Sequence, residues 1–270
     1  MVESFLSYGF LQRALAAGIF IALACAILGV FLILRRDAMF AHGLAHVTFA
    51  GVALGLFLNM MPLAMALLIA ILAALGILTL KKKAGLYGDT AIGIFSSVGM
   101  AAGILLASLA RSFNVDLFSY LFGEILAIET SEVLLSIGLV IVVLLIVIVY
   151  YRKFLYLTFD SESAKASGIK AYRFDILLSV LTAVTIVLGM KVVGLLLVAA
   201  LVVIPAAAAL QVSASFRKAL ILSSLVAVVS VVFGLFLAFY LDLPASATIV
   251  LLCFFFFLLF YAVKRIKKVS

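Results

Sequence analysis

Residues 192–210 read VVGLLLVAALVVIPAAAAL, 19 positions without a charge or a side chain able to donate a hydrogen bond. At about 1.5 Å of rise per helical residue, such a run matches the ~30 Å hydrocarbon core of a bilayer. Working outward from it, spans of the same kind are expected near 14–34, 41–59, 62–80, 90–110, 133–151, 174–190, 219–240 and 245–263. The count is eight or nine, because the segment 117–130 and the closely spaced pair around Lys191 read equally as partial or broken helices. Pro62 and Pro244 open helices. Pro205 sits inside its apolar run, where a proline removes one helical hydrogen bond and is expected to kink or end the helix.

Composition leads to the same class. The chain is 69% hydrophobic and 11% charged with a mean hydropathy of +1.46, whereas a soluble domain carries roughly a quarter charged residues. Barrel strands alternate polar and apolar positions, and these runs do not. The expected architecture is an all-α, polytopic helical bundle forming one transmembrane domain over residues 1–270. The net charge of +8 does not point to nucleic acid, because its cations flank the apolar runs. Arg35 and Arg36, Lys81 to Lys83, Arg152 and Lys153, Lys165 to Arg173, Arg217 and Lys218, and Lys264 to Lys268 all fall on one side of the proposed topology. By the positive-inside rule that side is cytoplasmic, facing anionic lipid, and nine crossings put the N-terminus outside. The first residues, MVESFLSYGF, lack the basic start and small-residue cleavage site of a secretory signal. Cys25 and Cys253 lie in apolar runs and read as small packing residues.

Both histidines of the chain stand in FAHGLAHVTFAGVALG, residues 40–55. His42 and His46 are one helical turn apart, so their rings share a face. Ionisable groups inside a membrane are costly enough to mark function by default. An i, i+4 pair of imidazoles can grip one transition-metal ion, and the alternative is interhelical hydrogen bonding. Two histidines do not complete a structural zinc site, but incomplete ligation suits an ion that must leave. Candidate carboxylates near apolar segments are Asp37, Glu124, Glu129 and Asp242. Asp37 is expected to pair with the adjacent arginines, Asp242 to lie at the outer mouth, and Glu124 either to meet the ion or to cap a short helix. No GxxxxGK[ST] phosphate loop occurs, so energy for uphill transport must come from a partner or an ion gradient. The polar segments 152–175 and 209–220 read as cytoplasmic connectors or docking surfaces.

Several ordered segments resemble one family. RRDAMFAHGLAHVTFAGVALG, DTAIGIFSSVGMAAGILLAS, DLFSYLFGEILAI, FDSESAKASGIK, VVGLLLVAALVVIPAAAA and YLDLPASATIVL are similar to successive blocks of the ABC-3 permeases, the membrane subunits of importers for zinc, manganese or iron(II). The resemblance covers nearly the whole chain and extends distantly to cobalamin and siderophore permeases. It implies a homodimer in the cytoplasmic (inner) membrane, two ATP-binding cassette ATPase subunits on its cytoplasmic face, and an extracytoplasmic metal-binding protein. It also implies no permanently bound cofactor, ATP being held by the partner and the divalent metal, zinc first, being cargo. The family's channel histidine falls on His46. Its aspartate one turn earlier falls on His42, a departure that should disfavour manganese relative to zinc. Asp242 matches an outer-gate aspartate. The coupling element implied is the loop after Pro205, with Gln211, Ser213, Ser215, Phe216, Arg217 and Lys218, beside a second loop carrying Asp160 and Glu162. The competing readings are a secondary transporter or channel with a histidine proton relay, a permease for a metal chelate such as cobalamin or haem, and a structural subunit with histidines as packing groups.

Overall fold

A computed structural model describes residues 8–83, 85, 88–109, 120–121, 123 and 128–269, and within these the chain contains helices and turns but no strand. The helices are α1 (Gly9–Leu34), α2 (Met39–Phe57), α3 (Pro62–Lys83), α4 (Gly88–Leu109), α5 (Thr130–Val149), α6 (Tyr151–Phe159), α7 (Ser161–Ala166), α8 (Ala171–Val193), α9 (Leu195–Val212), α10 (Phe216–Leu241) and α11 (Ala245–Val269). Nine of these, all but α6 and α7, are long and apolar enough to cross a membrane. Each matches one expected span, with ends shifted by about a turn. Segment 117–130 lies largely outside the described residues.

Local chemistry explains the boundaries. Pro62 is the first residue of α3, where its missing N–H costs nothing. The Glu129 and Glu132 side chains form a reciprocal capping box at the start of α5. The Ser215 hydroxyl accepts from the Lys218 backbone N–H at 3.4 Å to cap α10. One residue, Gly194 at φ 89°, separates α8 from α9; only glycine takes that conformation without steric cost. The pair around Lys191 is therefore two full helices. Pro205 lies within α9, which continues to Val212, so the helix is not ended there. Leu201, whose carbonyl lacks its usual donor because of the proline, is buried, as a membrane requires of such a backbone group.

The inner helices are α1, α2 and α8, about 70% buried over their apolar windows (72%, 72% and 67%). Around them stand α3, α4, α5, α10 and α11, the last only 11% buried, with α9 intermediate. Small residues allow close approach. A Cβ at Gly29 in α1 would collide with the Val202 carbonyl of α9. On α4, a Cβ at Gly99 would come within 2.8 Å of Val47, and one at Gly103 within 2.5 Å of Phe49, which seats α4 tightly against α2. Four buried hydroxyls find carbonyl acceptors within the bundle: Thr48, Thr182 and Thr185 donate to carbonyls one turn back, and Ser223 of α10 donates to Ala26 of α1.

The segment 152–175 is not a simple connector. Phe154 and Leu157 of α6 are buried, and Phe154 packs edge-on to Phe174 of α8 and at 5.4 Å from Phe31 of α1. Likewise most of 209–220 is helical, leaving a turn of Ser213–Ser215. Asp37 does not pair with its neighbouring arginines. It accepts from Lys81 at the end of α3, while Arg35 donates to Asp175 of α8 at 2.8 Å. At the opposite end Lys191 pairs with Glu132.

Candidate metal-binding site

α2 is a buried helix with one open edge. Most of its residues, from Phe40 to Gly55, are buried against α3, α4, α8 and α9, while Met39 and His42 are exposed and His46 is half-buried. The glycine contacts to α4 described above lie at Val47, Phe49 and Ala50, away from this edge. A row of imidazoles facing lipid is costly, so the edge suits a watery path or the surface of another subunit.

The two rings meet as the one-turn spacing requires. The Nε2 atoms of His42 and His46 are 3.2 Å apart and the ring centroids 4.6 Å apart. At this distance one imidazole donates to the other. Two nitrogen ligands each at about 2.05 Å from a tetrahedral ion are ~3.3 Å apart, so the rings could take up one ion with little movement. Among the described residues no hydrogen bond reaches either ring from another helix, which is what the packing-glue reading called for. Nor does any third His, Cys, Asp or Glu join the pair. With two ligands among the described residues, the remaining coordination positions would fall to water or to other groups.

Of the other expected pathway residues, Asp242 lies apart from the imidazoles. Asp242 is exposed after α10, at φ 55° and ψ 43°. This left-handed turn is one that aspartate tolerates better than most residues. It is at the far end of the bundle from His42, which lies three residues into α2 and so about 5 Å from that helix's first residue. Glu124 lies outside the described residues.

Among the residues expected to couple to a partner, Asp160 caps α7 by accepting from the Ser163 backbone N–H at 3.0 Å, and Glu162 is exposed in its first turn. A hydrogen bond with the Ser163 side chain, together with the Ser163 and Glu162 backbone, holds the Asp160 carboxyl below its ordinary range. Arg217 and Lys218 are exposed. Gln211 accepts from Lys264 at 2.9 Å, and the buried Ser213 hydroxyl has no partner. Phe216 packs inward on Phe31 at 5.1 Å, close to Tyr151 and Phe159 of α6. These aromatic contacts tie α6 and the start of α10 to the end of α1. Sequence reasoning missed them because nothing local distinguishes these phenylalanines from the many that face lipid.

The sequence profile described as the ABC 3 transport family matches residues 7–264. The chain is 33% identical over 266 residues to the manganese transport system membrane protein MntC of Listeria innocua, covering 98% of this chain and 95% of that one. It is 34% identical over 247 residues to the high-affinity zinc uptake system membrane protein ZnuB of Haemophilus influenzae, covering 91% and 94%. A solved structure of PsaBC from Streptococcus pneumoniae in complex with Fab superposes with a TM-score of 0.86 at 33% identity, covering 97% of this chain and 95% of that one. A metal-chelate type ABC transporter in an inward-facing conformation shares the fold, with a TM-score of 0.75 at 17% identity, covering 89% and 82%. With nine helices among the described residues long and apolar enough to cross a membrane, and a family match over residues 7–264, the chain belongs to the ABC 3 transport family.

Proposed function

We propose that the protein is the membrane permease of an ATP-binding cassette importer, and that it carries a divalent transition-metal ion, zinc first, into the cytoplasm by alternating access. Family membership supports the transport role. The observation that supports the metal is the 3.2 Å separation of the His42 and His46 Nε2 atoms on the open edge of an otherwise buried helix. Paired imidazoles favour zinc over manganese, because affinity of nitrogen sites rises strongly from manganese towards the end of the first transition row. Manganese is the second reading. It is supported by the relatives named for manganese transport, which are as similar to this chain as the one named for zinc.

In this reading a second copy of the chain covers the imidazole edge, and the ion passes between the two. Both rings act as neutral ligands, and a set of two imidazoles among the described residues keeps the ion replaceable. An extracytoplasmic protein delivers it past Asp242, and an ATPase on the cytoplasmic face drives the change of access. Two elements are proposed to receive the ATPase: α6 with α7, carrying Asp160 and Glu162, and the Ser213–Ser215 turn with Arg217 and Lys218. Their aromatic link to α1 would carry movement into the bundle. Membership of this transport family argues against a self-powered proton relay. The likeness to a chelate transporter is one of fold and does not extend to cargo.

The test is ATP-dependent uptake of zinc, manganese and iron(II) into vesicles holding the permease with its ATPase and binding protein. Zinc uptake should fall at least tenfold in His46→Ala, and His42→Asp should shift preference towards manganese. Unchanged uptake in both variants would reject the histidine path.

A further inference from the structure

At the end of the bundle that carries the basic clusters, a cavity of about 750 Å³ opens between α1, α3, α8 and the α6–α7 shelf. Neither histidine lines it. Its wall holds Arg35, Arg36, Lys81, Lys82, Lys165 and Lys170 against two carboxylates, Asp37 and Asp175. Both carboxylates are already engaged, with Lys81 and Arg35 respectively. Arg36, Lys165 and Lys170 form no ion pair among the described residues, and the Lys82 ammonium lies 4.1 Å from the Tyr172 ring centroid. Like charges gathered in a concave, partly desolvated space repel one another unless an anion enters.

Arg35 adds a second, independent observation. Its Nη1 donates to Asp175, its Nε reaches Thr158 at 3.4 Å, and its Nη2 is buried with no hydrogen-bond partner. Guanidinium nitrogens are donors only, so an acceptor oxygen at this wall would supply what Nη2 lacks. The starts of α2 and α8 and the ends of α1 and α3 all meet here. Their backbone dipoles therefore offset one another, and the side chains set the sign. The inner wall is apolar, with Leu34, Leu78 and Leu178.

We propose that this cavity binds a phosphate-bearing anion, supplied by the headgroup of an anionic phospholipid whose glycerol and upper acyl carbons lie on the leucine wall. Basic pockets between membrane helices on the cytoplasmic side recognise such headgroups. A bound lipid would brace the α6–α7 shelf against α1 and α8, so the lipid around the transporter would tune how firmly that shelf is held. The cavity's sign also makes it unfit as an exit for a transported cation. The proposal is independent of the metal reading.

The experiment measures binding of dioctanoyl phosphatidylglycerol, dioctanoyl phosphatidylcholine and inorganic phosphate to the purified full chain, by native mass spectrometry and thermal shift. Phosphatidylglycerol should bind at least tenfold more tightly than phosphatidylcholine. The double variant Arg36→Asn/Lys165→Gln should weaken phosphatidylglycerol by roughly 25-fold, at about fivefold per cation, and leave phosphatidylcholine unchanged. Asparagine suits the φ of 61° at position 36, so the variant should fold. Arg152→Gln, an exposed cation outside the cavity, should bind like wild type. Displacement of phosphatidylglycerol by millimolar inorganic phosphate would uphold the phosphate site and move its source to the cytosol. Equal binding of the two lipids, or a double variant indistinguishable from Arg152→Gln, would overturn the proposal.

Discussion

Replacing Gly29 and Gly138 with alanine should move stability in opposite directions, although both glycines are interior to long apolar helices. A Cβ at Gly29 would collide with the Val202 carbonyl, with the Ala206 methyl also close at 3.3 Å. A backbone carbonyl cannot rotate aside, so α1 and α9 must part. Overpacking of this kind costs about 1–3 kcal/mol. The rigid neighbour argues for the upper end, against a gain of about 1 kcal/mol in helix propensity, leaving a net loss of about 2 kcal/mol. Nothing lies within 4 Å of a Cβ at Gly138 on the exposed side of α5, so that substitution keeps only the propensity gain of about 0.5–1 kcal/mol. At about 2–4 °C per kcal/mol for a chain of this size, thermal unfolding of detergent-purified protein should fall by about 4–8 °C in Gly29→Ala and rise by about 1–4 °C in Gly138→Ala. Gly29→Ala as stable as wild type would refute the close approach of α1 and α9.

Two further outcomes follow from the charges at the two ends. Glu132 is 9% exposed at its side chain and Lys191 44%, so Lys191→Met strands a buried carboxylate and should cost about 2–4 kcal/mol. Glu132→Gln leaves an ammonium that can reach water and should cost about 1 kcal/mol, since glutamine still serves the capping box; a chemical or thermal melt reversing that order would show that the pair is not buried as described. Because the Asp160 carboxyl sits below its ordinary value near 3.8 in the folded chain, its cap is fully effective above that value and is lost as pH falls through the lowered one. Amide exchange in α7 should therefore be slower in wild type than in Asp160→Ala at neutral pH, with the two converging in stronger acid, while Asp160→Asn stays protected throughout; no wild-type difference between neutral and acid would discount the cap.

The candidate site was half legible before folding. That His42 and His46 share a face follows from a spacing of one turn, which every α-helix imposes. That they are the open edge of a covered helix depends on where α3, α4 and α8 pack, and no periodicity in α2 announces it. The charge pairs divide in the same way. Arg36 and Asp37 are neighbours in sequence, yet Asp37 reaches 44 positions along to Lys81, and Arg35 reaches 140 along to Asp175.

By itself the sequence determined the membrane class, a count of eight or nine spans and the basic clusters that flank them on one side, because hydropathy over about 20 residues and the cost of moving a cation through lipid are local properties. It also marked the imidazole pair. Only the tertiary structure decided that α9 runs through Pro205, that 152–175 folds into a shelf anchored by Phe154, and that Gly29 meets Val202. It alone gathered six cations from distant segments around one cavity. Inside a bilayer most helix faces are equally apolar, so hydropathy does not say which will meet; steric fit between small residues and the pairing of scarce polar groups make that choice, and both act between segments far apart in the chain.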